Sequence, residues 1–176
     1  MTDAPSGDPR AETLERLVGA LPYLRFLGIR FDRAGDELTA VLPFQPMLIG
    51  NPLIPAIHGG VTAAFLEVTA IVGLVWAGLE SGSQPAPAAG PPGVGAAPAT
   101  PAHLALPPQS LPKTIDITVD YLRPGHPRDS FARARINRQG RRYASVHVEA
   151  WQDSPDRLFA QCTGHFLMPD PLMPTP

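Results

Sequence analysis

The chain has 176 residues, enough for one domain with a sizeable core, and its 44% apolar and 17% charged composition describes a globular protein. A formal net charge of −2 gives no support to a nucleic-acid or anionic-membrane surface. One cysteine, Cys162, excludes an intrachain disulfide and fits a reducing, cytoplasmic setting.

Residues 1–10 read as a flexible polar leader without the basic and apolar blocks of a secretion signal. Residues 11–27 predict a helix, with Leu14, Leu17, Val18 and Leu21 at helical spacing and a break at Pro22. Residues 37–44 alternate Leu38, Ala40, Leu42 and Phe44 on one side and predict a strand. Residues 45–57 hold Pro46, Pro52 and Pro55 and predict a loop. A long apolar helix follows, starting near His58 or Gly59. Residues 61–79 are long enough to span a membrane. Glu67, Thr62, Thr69 and the absence of Lys/Arg flanks favour a buried central helix instead.

Residues 81–110 are dense in Pro, Ala and Gly and carry no charge. They predict a disordered or polyproline-like insertion within the domain of residues 11–168. Four strands are then expected in a meander, over residues 113–122, 130–137, 141–151 and 157–168. Residues 169–176 form a proline-rich tail. A helix that is apolar all round needs wrapping. The expected architecture is therefore α+β, an antiparallel sheet curled around one central helix, with an extra helix at the N-terminus.

Glu67 is the only charge between His58 and Leu79. Apolar surroundings oppose ionisation, so a carboxylate kept there is paired, protonated or working. Seven residues before it, on nearly the same helical face, stands Gly60, whereas His58 points roughly opposite. A helix start made of Gly59 and Gly60 bares backbone N–H groups. An acid two turns deeper gives the elements of an oxyanion site with a base or nucleophile. No second His, Cys or Asp stands at ligand spacing from His58, so neither metal nor cofactor is expected. Cys162, mid-strand, reads as a core residue.

The sequence His58-Gly59-Gly60 with an acid nine residues after the histidine resembles the PaaI-like hotdog-fold acyl-CoA thioesterases. The run from Thr114 through Asp116, Asp120 and Tyr121 to Pro124 resembles the strand after the hotdog helix. The Gly140-Arg141 turn and the last strand through Cys162 and His165 fit as well. The resemblance implies an acyl-CoA thioesterase with Glu67 as general base or nucleophile and the Gly59 N–H polarising the thioester carbonyl. It implies that Asn51 helps to place the thioester or water, and that Thr114 assists the attacking water. His58 would orient the preceding loop and Gly60 would border the substrate. Among the arginines, Arg123, Arg138 and Arg141 are the candidates for the phosphates of coenzyme A. The implied assembly is a homodimer or dimer of dimers, with Glu67 and Gly59 of one site drawn from different chains. Two alternatives are a non-catalytic acyl-CoA-binding hotdog domain and, with weaker support, a hydroxyacyl-thioester dehydratase, whose His and acid spacing differs from that of His58 and Glu67.

Overall fold

A computed structural model describes residues 9–80 and 111–169. The expected leader falls outside these residues except for its last two, and so do the 81–110 insertion and the tail beyond residue 169.

The N-terminal helix is divided as Pro22 requires: α1 runs Pro9–Ala20 and α2 Pro22–Leu27, with Pro22 in the first turn of the second helix. Gly28, at φ +70°, ends α2, with the Gly28 and Ile29 N–H groups returning to the Arg25 and Leu24 carbonyls. Leu14, Leu17, Leu24 and Leu27 are buried.

One strand escaped the sequence reading. β1, Arg30–Ala34, pairs antiparallel with β2, Glu37–Leu42. It is an edge strand with only Phe31 half-covered, so its Arg and Asp positions conceal any alternation. The proline-rich loop also holds regular structure: a short 3-10 turn at Pro46–Leu48, then a small hairpin of β3, Ile49–Asn51, and β4, Ala56–Ile57. The long helix is α3, Gly59–Glu80. It is followed by β5, Lys113–Tyr121; β6, Ser130–Gln139; β7, Tyr143–Trp151; and β8, Leu158–Leu167.

The six long strands form one antiparallel sheet in the order β1-β2-β6-β7-β8-β5. The expected four-strand meander is therefore corrected. β6, β7 and β8 do meander, but β5 crosses over to pair with β8 and becomes the second edge. Local alternation fixes which face a strand buries, not which neighbour it takes.

The sheet wraps α3, which packs on β5, β6, β7, β8 and β2. Length and composition would let α3 cross a membrane; here it is the core helix. Phe65, Leu66, Ala70, Val72 and Leu74 meet Ala132, Ala144, Val146, Val148, Ala150 and Phe166. The alanines explain how a sheet can come so close to a helix: a Cβ on Gly73 would lie 2.8 Å from the Ala134 Cβ. The opposite stripe of α3, formed by Ala64, Glu67, Val68, Ile71 and Val75, is only half-covered.

Candidate active site

The site is built outward from the start of α3. The His58 N–H donates to the Leu48 carbonyl at 2.8 Å, and the Ile57 N–H donates to the Gly125 carbonyl at 2.8 Å. These bonds fix the β3–β4 hairpin against the turn that follows β5. His58 is then the N-cap. Its carbonyl accepts from the Val61 and Thr62 N–H groups at 3.0 and 3.1 Å, and its ring Nδ1 accepts from the Gly60 N–H at 2.9 Å. An accepting Nδ1 places the ring proton of neutral His58 on Nε2.

Two glycines make this cap possible. A Cβ on Gly60 would sit 3.0 Å from the His58 Nδ1, and a Cβ on Gly50 would sit 2.8 Å from the His58 Cα. Only a bare backbone fits between β3 and this histidine. The Gly59 N–H is the exception at the helix start: among the described residues no acceptor takes it. The Gly59 carbonyl accepts from the Tyr121 hydroxyl at 2.8 Å. A cleft of about 380 Å³ opens here, lined by Ile57, Gly59, Thr62, Tyr121, Arg123 and Phe159 among others. The sequence reading passed over Tyr121 and Gly50. Tyr121 shares the inward phase of Ile117 and Val119 on β5, and that phase was a usable signal.

Glu67 lies eight residues along α3 from Gly59, or about 12 Å of helix rise. Its Oε1 accepts from the Thr114 hydroxyl at 2.6 Å, and its other oxygen has no hydrogen-bond partner among the described residues. A β-bulge at Ile115 supports this contact. The register with β8 slips between Thr114 and Asp116, so Thr114 turns toward α3 while Ile115 is exposed. The sequence thus names the two partners of the acid's hydrogen bond, and the bulge supplies the orientation. The shared face of Gly60 and Glu67 stands as helix geometry, but about 10 Å of rise keeps them from one reacting carbonyl in one chain.

Residues 55–159 match the profile of the thioesterase superfamily. The chain belongs to that superfamily. A medium/long-chain acyl-CoA thioesterase, YigI, of Salmonella typhimurium is 30% identical over 172 residues, covering 90% of this chain and 96% of that protein. A solved Shewanella oneidensis protein related to the superfamily is 27% identical, with a TM-score of 0.63 and coverage of 93% of this chain and 99% of that one. A Chromobacterium violaceum structure is 31% identical, with a TM-score of 0.57, covering 91% of this chain and 96% of its own. The sheet wrapped around α3 is the hotdog fold of these relatives.

The other expected site residues of this superfamily member fall in different places. Asn51 lies in the β3–β4 hairpin, and its Oδ1 accepts from the Leu53 N–H at 3.0 Å, so it shapes the turn. Arg123 borders the cleft and donates to the Leu158 carbonyl. Arg138 and Arg141 lie around the β6–β7 turn, exposed, at the end of the sheet where β5 begins. Arg123 follows the other end of β5, about 25 Å away at strand rise, so one chain does not bring all three to one phosphate. Cys162 is buried on β8. Burial, reinforced by the charges of Glu67 and Asp120 and opposed by a backbone hydrogen bond from Val148, pushes its thiol up to about 12. It is a core residue, not a nucleophile. His165 pairs with Asp116 at 2.8 Å, and His147 lies 3.3 Å from the Thr163 hydroxyl, both away from Glu67. Among the described residues no group of three His, Cys, Asp or Glu side chains could hold a metal.

Proposed function

We propose that this chain hydrolyses an acyl-CoA thioester to free acid and CoA, with medium- or long-chain acyl groups favoured, as the name of the Salmonella typhimurium relative suggests. Within the superfamily, the His58-Gly59-Gly60 start and the acid at Glu67 favour the PaaI-like group. The observation that carries the reading is the uncommitted Gly59 N–H, at the start of the same helix that carries Glu67, in a cap whose other groups are bonded.

The Gly59 N–H, at the positive end of α3, polarises the thioester carbonyl and stabilises its oxyanion. Glu67 supplies the electron pair by one of two routes. It removes a proton from water as that water attacks the carbonyl carbon, or it attacks directly and forms an anhydride that water then opens. In both, the C–S bond breaks and CoA leaves as a thiol after gaining a proton. The Thr114 hydroxyl holds the carboxylate in one orientation.

About 12 Å of helix between Gly59 and Glu67 is too far for one carbonyl, so each site takes Gly59 from one copy and Glu67 from another. The edge of β5 is the natural joint, because a nine-residue edge with no neighbour among the described residues is a template for a second strand. The test is thiol release from a panel of acyl-CoAs by wild type and Glu67→Ala. A loss of at least about a hundredfold in the variant is expected for a catalytic acid or base. Equal release by both proteins would remove Glu67 from the chemistry.

A further inference from the structure

Strand β5 makes two side-chain hydrogen bonds to α3 among the described residues, and both fall at the site. Near its start the Thr114 hydroxyl donates to the Glu67 Oε1 at 2.6 Å, and at its end the Tyr121 hydroxyl donates to the Gly59 carbonyl at 2.8 Å. Tyr121 stands an odd number of positions beyond Thr114, which on a regular strand puts two side chains on opposite faces. The bulge removes that conflict. Thr114 stands opposite Phe166 and Ile117 opposite Gly164, so β5 takes one more residue than β8 over that stretch. The phase then runs on through Val119 to Tyr121, while Ile115 absorbs the extra step and is exposed. Both hydroxyls therefore face the helix.

Gly59 needs such a partner. Glycine has the freest backbone of any residue, and the N–H of a first helical residue has no carbonyl a turn earlier to hold it. The peptide plane before Gly59 is fixed, because the His58 carbonyl accepts from Val61 and Thr62. The plane after it carries the Gly59 carbonyl and the Gly60 N–H. Side chains hold both: Tyr121 the oxygen, and the His58 Nδ1, at 2.9 Å, the nitrogen. The two planes meet at the Gly59 Cα. The Tyr121 ring lies alongside, since a Cβ on Gly59 would be 3.4 Å from its Cε1, Cζ and hydroxyl oxygen. Tyr121 is 55% exposed and lines the cleft, but the chain just after it is tied down. The Leu122 and Arg123 N–H groups donate to the Phe159 carbonyl at 2.9 and 3.0 Å, and the Gly125 carbonyl accepts from Ile57, just ahead of the cap.

We propose that Tyr121 is a positioning residue of the thioester site: its hydroxyl fixes the orientation of Gly59 and so aims the open Gly59 N–H at the carbonyl oxygen. This rests on the acyl-CoA hydrolase reading. Tyr121 gives no proton to the reaction and acts only through Gly59. With Thr114 on the acid at one end and Tyr121 on the donor at the other, β5 orients both working groups of its own α3.

The experiment measures kcat and KM on decanoyl-CoA for wild type, Tyr121→Phe, Gly59→Pro and the double variant. Tyr121→Phe removes the hydroxyl and keeps the ring against Gly59. It is expected to lower kcat by about three- to tenfold, the equivalent of one neutral hydrogen bond. KM should stay within about twofold, because the lost interaction serves the transition state rather than binding. Added to Gly59→Pro, which has no N–H to aim, it should cost less than about twofold more, the non-additivity of two changes that act on one group. An unchanged kcat overturns the proposal, and so does a loss that persists in full on Gly59→Pro. The Gly59 amide signal in the proton–nitrogen spectrum gives a second readout. It is expected to shift or broaden in Tyr121→Phe while that of Gly73, further along α3, stays in place. A Gly59 signal that does not move overturns the proposal. If wild type releases no thiol from any acyl-CoA, the hydrolase reading fails separately, and the amide signal alone decides whether Tyr121 orients Gly59. It decides likewise if Gly59→Pro leaves no measurable rate.

Discussion

The start of α3 and its middle are built to different degrees by one chain. At the start, His58 caps the helix with its backbone and its ring, Gly50 and Gly60 pack against that ring, and Tyr121 holds the Gly59 carbonyl. One donor, the Gly59 N–H, is left open among the described residues. At the middle, Glu67 has a single hydrogen bond among the described residues, from Thr114, and sits in a half-covered apolar stripe. The difference teaches that the donor end is preorganised within the fold, whereas the acid end has little around it to fix it, which is what the proposed two-chain site would supply.

The largest effect should come from breaking the finished end. Gly59→Pro deletes the open N–H at the first helical position, where proline suits the backbone. It should lower kcat by about a hundredfold to a thousandfold, as loss of one oxyanion donor does. Circular dichroism should show the helix retained; equal turnover would mean that another group polarises the carbonyl. At the other end, Thr114→Val removes the only hydrogen bond to Glu67 among the described residues. A drop of about tenfold in kcat is expected, since a hydrogen bond to a charged group contributes about 1.5–3 kcal/mol. Rescue by Thr114→Ser would separate positioning from packing. Gly50→Ala should act on stability rather than chemistry. The new Cβ, 2.8 Å from the His58 Cα, forces β3 off the cap. Thermal unfolding should report a loss of about 1–3 kcal/mol, the range for overpacking a tight contact.

The smallest signal in the assay is Cys162. Its folded thiol, pushed up to about 12, stays protonated where an unfolded cysteine has ionised. The unfolded state therefore binds fewer protons than the native state between the ordinary value of 9.0 and about 12, and stability falls as pH rises through that window. Cys162→Ala should lose less stability than wild type between these limits in denaturant melts. Below that window the folded thiol should be silent to a chromogenic disulfide and appear only on denaturation.

Much of this architecture is legible in the residues. The apolar helix with one acid, the glycine start and the alternation of four later strands each carry a local signal. β1 is hidden because an edge strand facing water alternates no apolar residues, and only Phe31 is partly covered. The β3–β4 hairpin is hidden by its prolines. The crossover of β5 to β8 is a choice of neighbour between strands far apart in sequence, which alternation does not encode. In the site, Glu67, Thr114 and Gly59 stand out as residues. The ring cap of His58 on Gly60, the contact of Tyr121 with Gly59 and the bulge at Ile115 depend on tertiary placement.

The central claim, that one site needs the helix start of one chain and the acid of another, is tested by complementation. Glu67→Ala and Gly59→Pro, each inactive alone, are unfolded together and refolded as a mixture. A mixed dimer then has one doubly altered site and one intact site. Recovery of about a quarter of wild-type turnover is the result expected from random pairing in a twofold dimer. No recovery, with mixed dimers shown to be present by mass, would mean that Gly59 and Glu67 work within one chain and would contradict the account.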